Sequence, residues 1–508
     1  MSSNRPDDHV FEVPYQSTVF DTEVVHAEYE RKQSGSCCAC GCCLGCLIFL
    51  MLVLLGIGAL YYAIVSGGVP LTVSEETTII TEPLKSDGAT IDFHQAIRAM
   101  IEPDVPLEEN GFMTVWRGYG REIYDPIVRE DIRQQYLGMC DHFGVDPAAM
   151  ATWTLPHWTP ETPEQWVATV REGLDAVQIA AASPHYFVPL VRQSEHDLVI
   201  MSQPLAIYAF HERLSDALRL RADVRFLREG DISGAWKDIL TSIRLFRLVT
   251  VNHAWMQEWS GRDSESLLTP VAEITVTLQK WTPQQLEQAI NDLELLPKWQ
   301  DQRTMRRIIQ FMLLDALSAT NDLHNFGNRF GRELPQAEQF MLQAFQLIGF
   351  DWNLVAKELN REMESYGKLL DDVSGESLEE QFNLLRLRRM DEPFRMPDEE
   401  ETQTLMIDHF NRTGGNPFFA PGRSQLSGAV IGYLGVRAVG EMYRLQLIED
   451  SRIQALRLAL ALEQFRREYR RYPDSLAEID GLPGMHLQYE RREEGYRLWN
   501  SVVQLSVD

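Results

Sequence analysis

Leu47 to Val65 runs for nineteen residues without a charge or a proline. It constrains the chain more than any other feature, because a helix apolar on every face at this length belongs in lipid or deep inside protein. At about 1.5 Å rise per residue it spans roughly the 30 Å hydrocarbon core of a bilayer. Tyr61 and Tyr62 fall near one end, where amphipathic rings prefer the headgroup level. The run therefore predicts one N-terminal transmembrane helix, with the lipid bilayer as its partner.

Its direction follows from the flanking cations. Arg31 and Lys32 precede the span, and no Lys or Arg follows it until Lys85. The positive-inside rule places the N-terminus in the cytoplasm and the bulk of the chain outside, periplasmic or extracellular. A cleaved secretory signal has a shorter apolar core and a small-residue cleavage site after it. Here a 36-residue leader comes first and AIVSGG (Ala63 to Gly68) offers no such site, so an uncleaved signal anchor is expected.

Six of the seven cysteines crowd the approach to that helix: Cys37, Cys38, Cys40, Cys42, Cys43 and Cys46. Cys37, Cys40, Cys43 and Cys46 repeat every third residue, and four thiolates are a ligand set for zinc or an iron–sulfur cluster. S-acylation of juxtamembrane cysteines would strengthen anchoring. The plainest reading is that small, weakly polar residues suit a helix entering lipid. Spacing alone leaves the three open, and no cofactor is assigned. Only Cys140 follows the anchor, so the large part contains no internal disulfide.

The net charge of −27 excludes one class of partner. Residues 1–36 hold three Lys/Arg against seven Asp/Glu, and the chain after Ser66 holds 44 against 67. A field of that sign repels nucleic acid and anionic lipid. The basic runs at Arg386 to Arg389 and Phe465 to Arg471 sit at helical spacing among apolar residues and read as solvated helix faces.

The chain divides into a cytoplasmic tail (1–36), the cysteine-rich anchor (37–66), a connector (67–90), a helical exterior domain (91–422) and a long helix with a C-terminal hairpin (423–508). Thr77 to Thr81 reads as a short strand. Helices are expected over roughly 252–278, 282–295, 300–320, 336–365, 376–390 and 398–411. Between Ala217 and Leu248, Gly230 is placed as a helix stop and Asp231 as the next N-cap, giving a tetratricopeptide-like hairpin. Leu220, Val224 and Leu227 are expected to line one helix, and Ala235, Ile239, Ile243 and Phe246 the other. The 34-residue period of a repeat array is missing, which leaves one hairpin in a larger bundle. Gly428 and Gly432 form a G-x-x-x-G too short and too charged to span a bilayer, so close helix contact in a core is expected. Phe418 and Phe419 mark the most conspicuous loop. Ser475 and Glu478 form a capping box, and alternation around Glu494-Gly495 predicts a closing β-hairpin. The fold class is mainly α, with a multi-helix exterior bundle and that small hairpin.

LALALEQFRREYRRYPDSLAEI (Leu458 to Ile479) resembles the helix, Tyr-Pro stop and Ser-Leu turn of type II secretion pseudopilins over about 25 residues. In those proteins the helix continues the membrane anchor, whereas here it lies some 400 residues beyond it, so filament assembly does not carry over. ETTIITEPLKSDGATIDF, PLEENGF, REGDISGAWKDIL and RRYPDSL, in that order after a signal anchor, resemble a group of uncharacterised bacterial single-anchor envelope proteins. That resemblance implies location and architecture, and it transfers no catalytic residue.

Motifs of chemistry are missing: there is no phosphate-binding glycine loop, no H-E-x-x-H and no nucleophile elbow. His185, His196, His211 and His253 lack metal-ligand spacing. Cys140 and His142 are neighbours, but residues i and i+2 occupy different faces of a helix. Acidic pairs such as Asp371-Asp372 single out nothing, and Asn411-Arg412-Thr413 is a lone glycosylation sequon. The function expected is therefore that of a single-pass envelope protein that binds another protein outside the membrane or builds structure. An exterior hydrolase with a scattered site and an accessory to secretion are the alternatives.

Overall fold

Apolar residues three and four apart build helices, and breaks bearing proline or glycine keep them short until the last. The computed structural model describes residues 69–123, 130–150, 153–156, 163–192, 198–199, 205–253, 278–299, 301–320, 350–373, 420–479, 487–493, 495–500 and 504–507, with single positions 381, 404, 407 and 411. All of these fall within one compact unit, Tyr61–Asp508. In chain order its helices are α1 (Phe93–Ile101), α2 (Gly111–Ile123), α3 (Glu130–His142), α4 (Pro163–Ala181) and α5 (Leu205–Val224). They continue with α6 (Ile232–His253), α7 (Pro283–Glu294), α8 (Gln302–Thr320), α9 (Trp352–Val373) and α10 (Ala420–Tyr469). Strands β1 (Gln488–Arg491), β2 (Tyr496–Trp499) and β3 (Gln504–Val507) form an antiparallel sheet in the order β1-β2-β3. The described chain is thus mainly helical with a small sheet at its end.

Three apolar clusters fill it. Phe112, Trp116 and Tyr119 of α2 meet Met139 and Cys140 of α3, Val170 and Leu174 of α4, and Phe210 of α5. The other two are joined by α10, which at 1.5 Å per residue is about 75 Å long. Its Val436, Val439 and Met442 lie with α1, α8 and α9, while its Ala455, Leu456 and Leu462 lie with α6, α7 and the sheet. At Gly428 and Gly432 α10 runs close against α9. A Cβ on Gly428 would stand 2.3 Å from the Val355 carbonyl oxygen, and one on Gly432 would stand 2.8 Å from Glu362 Cβ.

The hairpin forms where glycine and aspartate place it. Gly230 takes φ +67°, a left-handed conformation that glycine adopts without a Cβ clash. Asp231 Oδ1 then accepts from the Gly234 N–H at 2.9 Å and caps α6. A buried ion cluster locks the two helices together. Arg221 Nε donates to both carboxylate oxygens of Asp238 at 3.0 Å, and Arg221 Nη1 reaches Asp175 of α4 at 2.7 Å. Arg221 Nη2 also donates to Asp238, Arg225 Nη1 does so at 2.8 Å, and Gln178 Nε2 at 2.5 Å. Arg221 and Asp238 are both fully buried, so this set of partners is what makes their burial tolerable.

Three expectations need correction. Thr77 to Thr81 is not a strand: the Thr77 and Thr78 N–H groups donate to the Ser74 carbonyl and fold the segment into a turn. Leu227 does not line the hairpin. The π-helical turn Arg225–Glu229 shifts the phase, so Phe226 faces the core and Leu227 faces solvent. The helix expected over 336–365 does not pass through Phe350 and Asp351. There Val69 N donates to Phe350 O at 2.9 Å, Trp352 N donates to Val69 O at 3.0 Å, and Asp351 Oδ1 caps α9 through the Asn353 and Leu354 amides. At the C-terminus the expected hairpin pairs Arg491 with Tyr496 and gains β3 as a third strand.

The expected anchor at Leu47 to Val65, the cysteines Cys37, Cys40, Cys43 and Cys46, and Phe418 with Phe419 lie outside the described residues. So do most of the helices expected over 252–278, 376–390 and 398–411. Among the described residues no helix is long and apolar enough to cross a membrane.

Candidate functional site

Among the described residues, polar side chains gather in a pair of clefts. The first, about 530 Å³, opens between α1, α3 and the extended segment Leu190 to Arg192. Its walls are held by charges in fixed pairs. Asp92 caps α1 by accepting from the Gln95 N–H at 3.0 Å, and Arg192 grips the same carboxylate through both Nη atoms at 2.8 Å. Burial alone would raise the Asp92 pKa, but the Arg192 fork and the helix amide outweigh it and hold the carboxyl below its ordinary range. Across the cleft Arg98 donates to Glu102 Oε2 at 2.8 Å, and Glu102 Oε1 accepts from the Leu190 N–H at 3.0 Å.

His94 and His142 also line this cleft, and each carries a buried Nε2 without a hydrogen-bond partner. Burial, reinforced by Arg192 and Arg98, drives His94 down to about 4. Burial and Arg98 lower His142 as well. Both imidazoles are therefore neutral at pH 7. Cys140 stays apart from them. Its Sγ is turned into the α2–α5 core 3.7 Å from Met150 Sδ, and burial raises its pKa, so the thiol and the neighbouring imidazole do not meet.

The second cleft, about 550 Å³, is a groove along α6 with α7 on its far side. Trp236, Leu240 and Trp281 form the floor, and glutamines from α4 and α7 form much of the rim. Asp292 is engaged on both oxygens, accepting from Trp236 Nε1 and Gln288 Nε2 at 2.8 Å each. Trp281 is 2% exposed, and its indole Nε1 has no hydrogen-bond partner. Lys237 and Arg244 also border the groove, two turns apart on α6, and neither has a carboxylate partner among the described residues. The groove thus offers an apolar floor, amide donors and acceptors, and two cations whose charge no side chain among the described residues neutralises.

The other histidines are placed as follows. His211 is buried, with Nδ1 2.8 Å from the Ile207 carbonyl and Nε2 2.5 Å from the Tyr186 hydroxyl. A carbonyl only accepts, so Nδ1 carries the proton and Nε2 accepts from Tyr186. Burial holds His211 down to about 4 and lifts Tyr186 well above its ordinary 10, so the pair is a neutral structural bond. His185 is half-buried and its carbonyl receives the Gly111 N–H at 2.8 Å. His196 lies outside the described residues, and His253 ends α6. No group of three or more His, Cys, Asp or Glu among the described residues is arranged to hold a metal ion.

Sequence reading found neither cleft. The first draws on residues from His94 to Arg192, nearly a hundred positions apart, and no local spacing announces such a meeting. The second had a signal. Trp236, Lys237, Leu240, Thr241 and Arg244 recur at three and four residues and mark one face of α6. Compared with known proteins, the chain matches no family model, no curated protein and no solved structure.

Proposed function

We propose that the chain is a single-pass membrane protein of the cell envelope that acts by binding another protein. Leu47 to Val65 is its anchor, the N-terminus lies in the cytoplasm, and the helical unit stands outside. The observation that carries the binding role is the α6 groove, whose apolar floor is bordered by Lys237 and Arg244, neither with a carboxylate partner among the described residues. The first cleft fits a recognition role less well, because each of its arginines already holds a carboxylate. Affinity capture of the full chain from gently solubilised membranes tests the reading, with a reproducible partner expected; repeated capture that recovers none refutes it. Protease added to intact cells tests the placement: the mass after the anchor is expected to be digested, and a protected one refutes it.

A hydrolase remains as a second reading because one feature favours it: two neutral imidazoles share a cleft with two guanidinium groups. A neutral imidazole is the form that takes a proton from water or a hydroxyl. Ester, amide or phosphoester hydrolysis by the full chain that disappears in both His94→Asn and His142→Asn supports it; equal rates in all three proteins remove it. A secretion accessory rests on the pseudopilin-like tail alone, and unchanged secretion after deletion of the protein retires that idea.

A further inference from the structure

We infer that the α6 groove receives a short acidic segment of a partner protein, with an apolar side chain on the Trp236–Leu240 floor and carboxylates against Lys237 and Arg244. The assignment rests on the protein-binding reading above and names the surface and the chemistry of its occupant. Three features carry it.

Charge comes first. The groove is bordered by two cations and one carboxylate, and that carboxylate, Asp292, already accepts from Trp236 and Gln288. In a chain of net charge −27 this is a local excess of positive charge. A long polyanion laid here would meet the field of the whole molecule and be repelled. A short segment is governed by charges within about one Debye length, roughly 8 Å at physiological salt, and the groove's own lining carries two cations against one carboxylate.

Shape and amide chemistry follow. Gln178, Gln284, Gln285 and Gln288 border the groove. Gln178, Gln285 and Gln288 each give one N–H, to Asp238, Ser233 and Asp292 respectively, but an amide nitrogen carries two and its oxygen two lone pairs, which suits the N–H and C=O groups of a peptide backbone. The aromatic and leucine floor supplies a seat for an apolar anchor, the feature around which peptide binding energy concentrates. Lys237 and Arg244 are seven residues apart, so their helix positions are separated by about 10 Å along the axis. A bound segment therefore carries two carboxylates at about that spacing. The wall behind is held in place, since the Arg221–Asp238 cluster, which Gln178 of the rim joins, fastens α6 to α5 and α4.

The test is site-specific photo-crosslinking with the full chain in its native membrane. A photoreactive side chain is placed at Gln284 in the groove and, separately, at exposed Arg117 of α2. Crosslinked peptides are identified by mass spectrometry. From Gln284, crosslinks are expected to map to one partner segment containing at least two Asp or Glu. The yield should fall at least tenfold in Lys237→Glu/Arg244→Glu, with thermal unfolding of that double variant unchanged. Crosslinks to a segment without acidic residues, or an equal yield in the charge-reversed variant, overturn the inference. So does a partner that reacts from Arg117 and never from Gln284, although the protein-binding reading survives that result. No crosslink from either position, with no captured partner, removes both.

Discussion

Substituting alanine for Gly428 tests the contact between α10 and α9 by its sign. Glycine in a helix interior costs about 1 kcal/mol relative to alanine, so an unhindered Gly428→Ala would stabilise the protein by that amount. At Gly428 the added Cβ stands 2.3 Å from the Val355 carbonyl oxygen and 2.8 Å from Glu358 Cβ. A carbon and a carbonyl oxygen tolerate about 3.3 Å, so the helices must part by roughly 1 Å. Neither blocking atom is the end of a flexible side chain, which puts overpacking near the top of its usual range, about 3 kcal/mol. The net effect is a loss of about 2 kcal/mol. Gly432→Ala meets Glu362 Cβ at 2.8 Å and should lose about half as much. Gly435→Ala meets Leu313 Cδ1 at 2.7 Å and Met363 Sδ at 2.9 Å. Both are side-chain ends that rotate away, so that variant should fall within about 0.5 kcal/mol of the parent once the helix gain is counted. Thermal unfolding of the full chain in one detergent, followed by helical circular dichroism, ranks the three. A Gly428→Ala protein more stable than its parent, or no less stable than Gly435→Ala, refutes the contact.

His94 makes stability depend on pH in a defined window. The unfolded imidazole takes a proton near its ordinary 6.5 and the folded one only near 4, so stability falls as pH drops between those values, by up to about 3 kcal/mol. Unfolding of His94→Gln measured from pH 7 to pH 4.5 should show a flatter slope; an unchanged slope refutes the assignment. Arg221→Met leaves the fully buried Asp238 with Arg225 and Gln178 only, and is expected to cost about 3 kcal/mol, the lower end for breaking a buried pair. Adding Asp238→Leu should recover part of that loss in a double-mutant cycle; a double variant no better than Arg221→Met refutes the pairing. Asp351→Ala removes the cap of α9 and should cost about 1 kcal/mol by the same unfolding measurement, with no change counting against the cap.

The sequence was legible where a residue acts on its own neighbours. Gly230 and Asp231 set the hairpin because left-handed backbone and an N-cap oxygen are local needs, and β1 closes onto β2 where the Arg492 N–H donates to the Gly495 carbonyl at 3.0 Å. It misled where a distant partner decides. Thr77 to Thr81 has strand composition, yet the Asn360 side-chain amide of α9 donates to the Glu76 and Thr77 carbonyls at 3.0 Å and helps hold the turn. Helical periodicity up to residue 365 hid the break at Asp351, which depends on pairing with Val69 across 282 positions. The first cleft was invisible for a related reason: His94, His142 and Arg192 stand on three elements that meet only through the fold.

Charge shows how structural and functional residues separate in this chain. Arg192 on Asp92 and Arg221 on Asp238 each tie one element to another, while Arg467 pairs with Glu463 within α10. Arg467 also donates to the Leu278 and Gln279 carbonyls at 2.9 and 3.0 Å, fastening the segment before α7 to α10. A buried guanidinium needs such partners, because an unpaired one costs several kcal/mol. The need is weaker at a groove, where water solvates a cation until something replaces it. Lys237 is exposed and Arg244 half-exposed, and the fold asks nothing of either. Removing their charge should therefore leave stability unchanged within about 0.5 kcal/mol, as for surface positions without a structural contact. That is the asymmetry a recognition surface requires: residues the fold can spare, on a helix that the fold holds still.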